Sequence, residues 1–196
     1  CIATGKPFFG RKVKKGTVVI AYGEGDIPTR LRLMSKGMGI RVPRNIYPFQ
    51  LNTNLAAPET LNDFKNHIPA DTSMLLLDNF EKFYKSDMDA DAVEAAMRLM
   101  FDTREKANSA LVHHEVKYAK SKASSHSLSK GDSKIPNCAD AIFTLNRKGV
   151  DTVECSFYNR ELETPSTIAF RLVKTANGGM VLQSTGTTTA TSDLKE

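Results

Sequence analysis

The stretch Ser73-Met74-Leu75-Leu76-Leu77-Asp78 decides how the chain reads. Met74 to Leu77 run apolar without alternation, the habit of a strand buried on both faces at the centre of a parallel sheet. A carboxylate at the carboxyl end of such a strand stands where open α/β sheets bind ligands. Two readings of Asp78 stay open at this point: a ligand-ordering carboxylate, or a strand-end side chain that caps the next turn.

Outward from that strand, Thr17–Tyr22 (TVVIAY) is β-branched and apolar, a second buried parallel strand. Gly23-Glu24-Gly25-Asp26 follows it, and Asp26 suits the cap of a helix starting near Pro28. Leu31, Met34 and Met38 fall on one face of that helix, and Gly37 and Gly39 close it. Residues 45–51 read as a short strand, and Pro58 opens a helix to about His67. The acidic run at Asp87 suits a helix start by the macrodipole argument, with Val93, Met97, Met100 and Phe101 at helical spacing to about Asn108. Ala110-Leu-Val-His113-His114 is the next strand. Repeated strand–helix units predict an α/β fold with a mostly parallel sheet flanked by helices. The segments 139–146, 150–158 and 167–173 read as strands, and Ala176-Asn-Gly-Gly179 as a hairpin turn into Met180–Gln183. The sheet is thus expected to finish in antiparallel strands. One domain is expected over 1–183, with the Thr-rich 184–196 as a flexible tail.

Composition narrows the class. With 40% hydrophobic and 25% charged residues in 196, the chain is that of a globular domain with a sizeable core. No apolar stretch approaches membrane-spanning length, and the start carries no signal-peptide pattern. Cys1, Cys138 and Cys155 form no C-x-x-C pair, so a disulfide framework is not indicated and a cytoplasmic setting is the default. The formal charge of +5 favours an anionic partner.

Two basic segments stand out. Residues 1–16 (CIATGKPFFGRKVKKG) hold Lys6, Arg11, Lys12, Lys14 and Lys15 with no acid. Gly5-Lys6 is not a phosphate loop, because Pro7 stands where Ser or Thr belongs. Between Glu115 and Pro136 lie Lys117, Lys120, Lys122, Lys130 and Lys134 among Ser121, Ser124, Ser125, Ser127, Ser129 and Ser133. A polar loop of this length inside a domain is functional or disordered. Its lysines suit phosphate contacts, and a solvated loop is the plain alternative.

Parallel crossovers bring Glu24, Asp78 and the pair His113-His114 to one edge of the sheet. A carboxylate that activates water, an Asp that orders magnesium and a polar group that senses a phosphate compose a hydrolytic site. Against this stand a solvated turn residue for Glu24 and a structural role for the histidines. A metal centre from His113, His114, His126 and Cys138 matches no zinc spacing, and adjacent residues of a strand point to opposite faces.

In order, GKPFFG, a basic stretch, TVVIAYGEG, LLLD, LVHH, the Lys/Ser loop, SKIPNCADAIFTL and YNRE resemble the RecA-type ring ATPases over residues 1–173. The branch they are most similar to is that of the RepA-type plasmid and phage replicative helicases, the AAA-domain proteins. The resemblance implies a RecA-like fold, ATP and Mg2+ as cofactors, single-stranded DNA as partner and a homo-oligomeric ring, a hexamer. It implies that Glu24 polarises the attacking water and that Asp78 holds Mg2+ through water. By the same resemblance His114, with His113 beside it, senses the γ-phosphate, and Arg160 reaches the neighbouring subunit's nucleotide. Lys117, Lys120, Lys122, Ser124, Ser125, Lys130 and Ser133 would face single-stranded DNA, and Asp140 matches an aspartate at the start of the following strand.

Three departures qualify the likeness. Tyr158 stands where the pattern has Lys two residues before Arg160, and Asp132 interrupts the loop's phosphate-binding pattern. The glycine-rich loop with its Lys and Ser/Thr belongs upstream of Cys1. The expectation is therefore an N-terminally truncated fragment that hydrolyses no ATP, while the full gene product does. The alternative is a non-catalytic nucleic-acid-binding module that uses the Lys/Ser loop.

Overall fold

The computed structural model describes residues 1–8, 10–51, 54–83, 90–103, 107–113, 139–159 and 162–189. It divides into two compact units, Cys1–Arg30 with Val42–Cys138, and Leu31–Arg41 with Ala139–Glu196.

The first unit is built on β1 (Thr17–Tyr22), β2 (Ile46–Gln50), β3 (Thr72–Asp78) and β4 (Asn108–Leu111), in the order β2-β1-β3-β4. All three pairings are parallel. β1 and β3 occupy the middle because their sequences have no polar face to offer water, and Val19, Ala21, Leu75 and Leu77 are fully buried. Helices α2 (Pro58–His67), α3 (Phe80–Phe83) and α4 (Ala90–Thr103) supply the rest of the core. Leu61, Phe64, Phe80, Phe83, Val93 and Leu99 pack on the strand residues. Each large apolar side chain buried here contributes on the order of 1.5–3 kcal/mol relative to exposure. α4 is described as far as Thr103, whose hydroxyl donates back to the Leu99 carbonyl at 2.9 Å; the Ala107 amide donates to the Thr103 carbonyl at 2.8 Å, and β4 begins at Asn108. β4 in turn ends at Leu111, so His113 lies beyond the strand that the sequence extends to His114.

Helix α1 (Ile27–Gly37) starts as its sequence predicts, with the Thr29 amide donating to Asp26 Oδ1 at 2.9 Å. Its end is a Schellman motif. Gly39 at φ +66° donates to the Lys36 carbonyl, and Ile40 donates to the Ser35 carbonyl, both at 3.0 Å.

The second unit carries β5 (Ala141–Arg147), β6 (Thr152–Asn159), β7 (Leu162–Lys174) and β8 (Met180–Thr189), an antiparallel meander in that order. The turn expected at Ala176–Gly179 is present, closed by the Thr175 amide donating to the Gly179 carbonyl at 2.9 Å. Two features differ from the sequence expectation. The antiparallel strands form a sheet of their own and do not finish the parallel one, because each short connection pairs a strand with its own sequence neighbour. β8 also runs on to Thr189, through residues whose Thr repeats read as tail; Thr is β-branched, and Thr187–Thr189 pair with Ser166–Ile168 of β7. Among the described residues no helix is long and apolar enough to cross a membrane.

Candidate active site

The site lies at the carboxyl edge of the parallel sheet, where β1, β3 and β4 end side by side. Register places Tyr22 opposite Asp78 and Leu77 opposite Leu111. The ladder continues past the strands: the Gly23 amide donates to the Asp78 carbonyl at 2.8 Å, and the Val112 amide to the Leu77 carbonyl at 2.9 Å. The backbone just past β1 and β4 is therefore held to β3.

Glu24 is anchored from two sides. Asn79, 2% exposed, donates from its side-chain amide to Glu24 Oε1 at 2.9 Å. Lys82 of α3 places its ammonium 3.4 Å from Glu24 Oε2, with both side chains half exposed. The approach of α3 requires Gly23: a Cβ there would lie 2.2 Å from Lys82 Cβ. Asp78 is half-buried at the tip of β3, and its carboxylate makes no hydrogen bond or ion pair among the described residues. The Asp78–Asn79 peptide bond is cis.

His113 sits on the same edge. The Phe80 amide donates to the Val112 carbonyl at 2.9 Å, which draws α3 against the end of β4. The Phe80 and His113 rings meet edge to face, with centroids 5.3 Å apart. Of the residues that the sequence assigns to the site, Glu24, Asp78 and His113 thus come to one edge on three adjacent strand ends. His114, Arg160 and the segment holding Lys117, Lys120, Lys122, Ser124, Ser125, Lys130 and Ser133 lie outside the described residues. Asp140 is exposed immediately before β5, in the second unit.

Sequence reasoning missed Asn79 and Lys82. The signal for Asn79 was present: a polar residue caught between an apolar strand and Phe80 has to bury its amide, and a buried amide needs a partner. Lys82 had none, because its pairing with Glu24 depends on how closely α3 crosses β1.

Comparison with solved structures places this architecture. The crystal structure of the RadB recombinase matches with a TM-score of 0.55 and 12% identity, over 84% of this chain and 78% of that one. A second solved structure, that of an ATPase domain, matches with a TM-score of 0.54 and 13% identity, over 85% of this chain and 74% of that one. The fold is RecA-like. No protein-family profile matches the chain, and no curated protein sequence does. Asp78 ends β3 and Glu24 follows β1 at the carboxyl edge of the parallel sheet, the edge at which open α/β sheets take their ligands.

Proposed function

We propose that this chain is the hydrolytic part of an ATP-driven DNA motor of the RepA-type helicase kind, serving plasmid or phage replication. The observation that carries the reading is the Asn79–Glu24 hydrogen bond beside Asp78, since it aims one carboxylate while leaving another at the adjacent strand end. The donor set suits Mg2+, a hard cation that takes carboxylate and water oxygens. Asp78 would hold it through water, and when bound the ion supplies charge neutralisation at the phosphates.

The chain's own residues have separable roles in this reading. Glu24 accepts a hydrogen bond from the attacking water and polarises it. Asn79 fixes the orientation of that carboxylate, and the Lys82 ammonium stands 3.4 Å from its other oxygen. His113 or His114 reads the terminal phosphate, and Arg160 stabilises charge on the phosphoryl group in a neighbouring subunit of a hexameric ring. Lys117, Lys120, Lys122, Ser124, Ser125, Lys130 and Ser133 contact single-stranded DNA as it moves.

A second reading has one observation in its favour. The Glu24–Lys82 ion pair is also what a purely structural turn would show, and it fits a nucleic-acid-binding module without catalysis. Steady-state ATPase assays on the protein, with and without single-stranded DNA, separate the two. Glu24→Gln and Asp78→Asn abolish turnover under the first reading. DNA binding that needs no nucleotide, together with the absence of any turnover to lose, establishes the second.

A further inference from the structure

Asn177-Gly178 is the one Asn-Gly pair in the chain, and it lies in the turn that joins β7 to β8. The Asn177 side chain is held from three directions. Oδ1 accepts from the Thr175 hydroxyl at 2.6 Å and from the Gly179 amide at 3.0 Å, and Nδ2 donates to the Lys36 carbonyl at 2.7 Å. Lys36 belongs to the last turn of α1, 141 residues away in sequence. Glycines let the two backbones meet there. A Cβ on Gly179 would run into the Gly37 backbone nitrogen, and one on Gly37 into the Met180 carbonyl oxygen. The Asn177 amide thus ties the β7–β8 turn to the end of α1, both within the second unit.

Asn followed by Gly carries a chemistry of its own. The glycine nitrogen, uncrowded by a Cβ, can attack the asparagine side-chain carbonyl carbon. The bond from Gly178 N to Asn177 Cγ forms, the Cγ–Nδ2 bond breaks, and ammonia leaves a cyclic imide. Water then opens either C–N bond of the ring. One product is Asp; the other is isoAsp, whose main chain runs through Cγ and is one carbon longer. The folded turn blocks the first step. The Gly178 amide is spent on the Thr175 carbonyl at 2.9 Å, and the three bonds to Asn177 keep its Cγ in place. Asn177 is nevertheless exposed, and surface turns open far more often than whole domains unfold. An opened turn releases nucleophile and carbonyl together.

We infer that Asn177 is a spontaneous deamidation site, kept as the amide by the folded turn, and that its conversion severs the tie between the turn and α1. The product carboxylate has no hydrogen to give the Lys36 carbonyl. The Lys36 ammonium stands 3.4 Å from where a Gly178 Cβ would lie; it attracts the new charge but does not replace the lost donor. IsoAsp fits less well still, since an added main-chain carbon has no room where Gly37 and Gly179 already touch. Neither product returns to the amide when the turn closes again. The site is independent of the motor reading, because it uses none of the residues at the carboxyl edge.

Ageing the protein at mildly alkaline pH, folded and in urea, with peptide mapping of Asp and isoAsp at residue 177, tests this. Conversion in the folded protein is slower than in urea by roughly tenfold or more, since the turn must open first. Thr175→Val keeps the β-branched shape and removes the hydroxyl donor. It raises the folded rate about two- to tenfold and leaves the rate in urea unchanged. Asn177→Asp, which carries the product side chain, increases trypsin cleavage after Lys36 and lowers the thermal midpoint by about 2–4 °C. Equal rates in folded and urea-unfolded protein overturn the inference, as does a Thr175→Val variant that ages like wild type. Wild-type cleavage after Lys36 in both Asn177→Asp and fully aged protein overturns the severed tie. Absence of conversion at Asn177 even in urea defeats the site altogether.

Discussion

Asn79 and Glu24 meet across the carboxyl ends of β3 and β1, the amide of one donating to the carboxylate of the other at 2.9 Å. The donor is buried and the acceptor exposed, so the bond fixes the acceptor and not the reverse. Whatever Glu24 does, it does from an orientation set by the residue after Asp78.

Replacing Asn79 by Ala frees the carboxylate. Under the motor reading kcat falls by on the order of 10- to 100-fold, as it does on loss of residues that orient a catalytic ligand, with KM for ATP little changed. Asn79→Asp is more informative, since it removes the amide donor and sets a second carboxylate against Glu24 while nearly keeping the side-chain volume. Wild-type kcat in both Asn79→Asp and Asn79→Ala would count against an orienting role.

Glu24→Gln is expected to leave stability nearly untouched. Its ion pair with Lys82 is half exposed on both sides, and such pairs are worth about 0–1 kcal/mol. A urea midpoint close to wild type, combined with lost turnover, assigns the carboxylate to chemistry. A large drop in the midpoint assigns it to structure.

Leu77→Ala removes a fully buried side chain from β3. The expected cost is about 2–5 kcal/mol, because the neighbouring Phe80 and Phe83 cannot collapse fully into the space. Urea unfolding at an unchanged m-value is the measurement.

Gly37 and Gly39 separate steric from conformational need. Gly39→Ala meets open space and costs about 1–2 kcal/mol, for the left-handed backbone alone. Gly37→Ala has ordinary helical geometry and on propensity should gain stability. A Cβ there would instead lie 2.3 Å from the Met180 carbonyl oxygen, so the substitution is expected to be the more damaging of the two. Thermal midpoints of both variants rank them directly.

Burial pushes the Cys155 thiol pKa up. Alkylation of Cys155 in the folded protein is therefore expected to be slower than in the denatured chain at mildly alkaline pH, the gap narrowing as pH rises. Mass mapping of iodoacetamide adducts at two pH values checks it.

The sequence by itself determined the parallel sheet. Apolar runs such as Leu75–Leu77 cannot face water, and their flanking Asp26, Pro58 and Gly39 mark helix ends by local rules that operate within one turn. It also brought Glu24, Asp78 and His113 to one edge, since right-handed crossovers leave little choice of where strand ends emerge. Only the tertiary structure decided that β5–β8 stand as a separate sheet, that the Thr repeats to Thr189 are strand, and that Asn79 and Lys82 hold Glu24. Those facts rest on contacts between residues far apart in the chain, such as Glu24 with Asn79 and Ser166 with Thr189, whose distances no local propensity encodes.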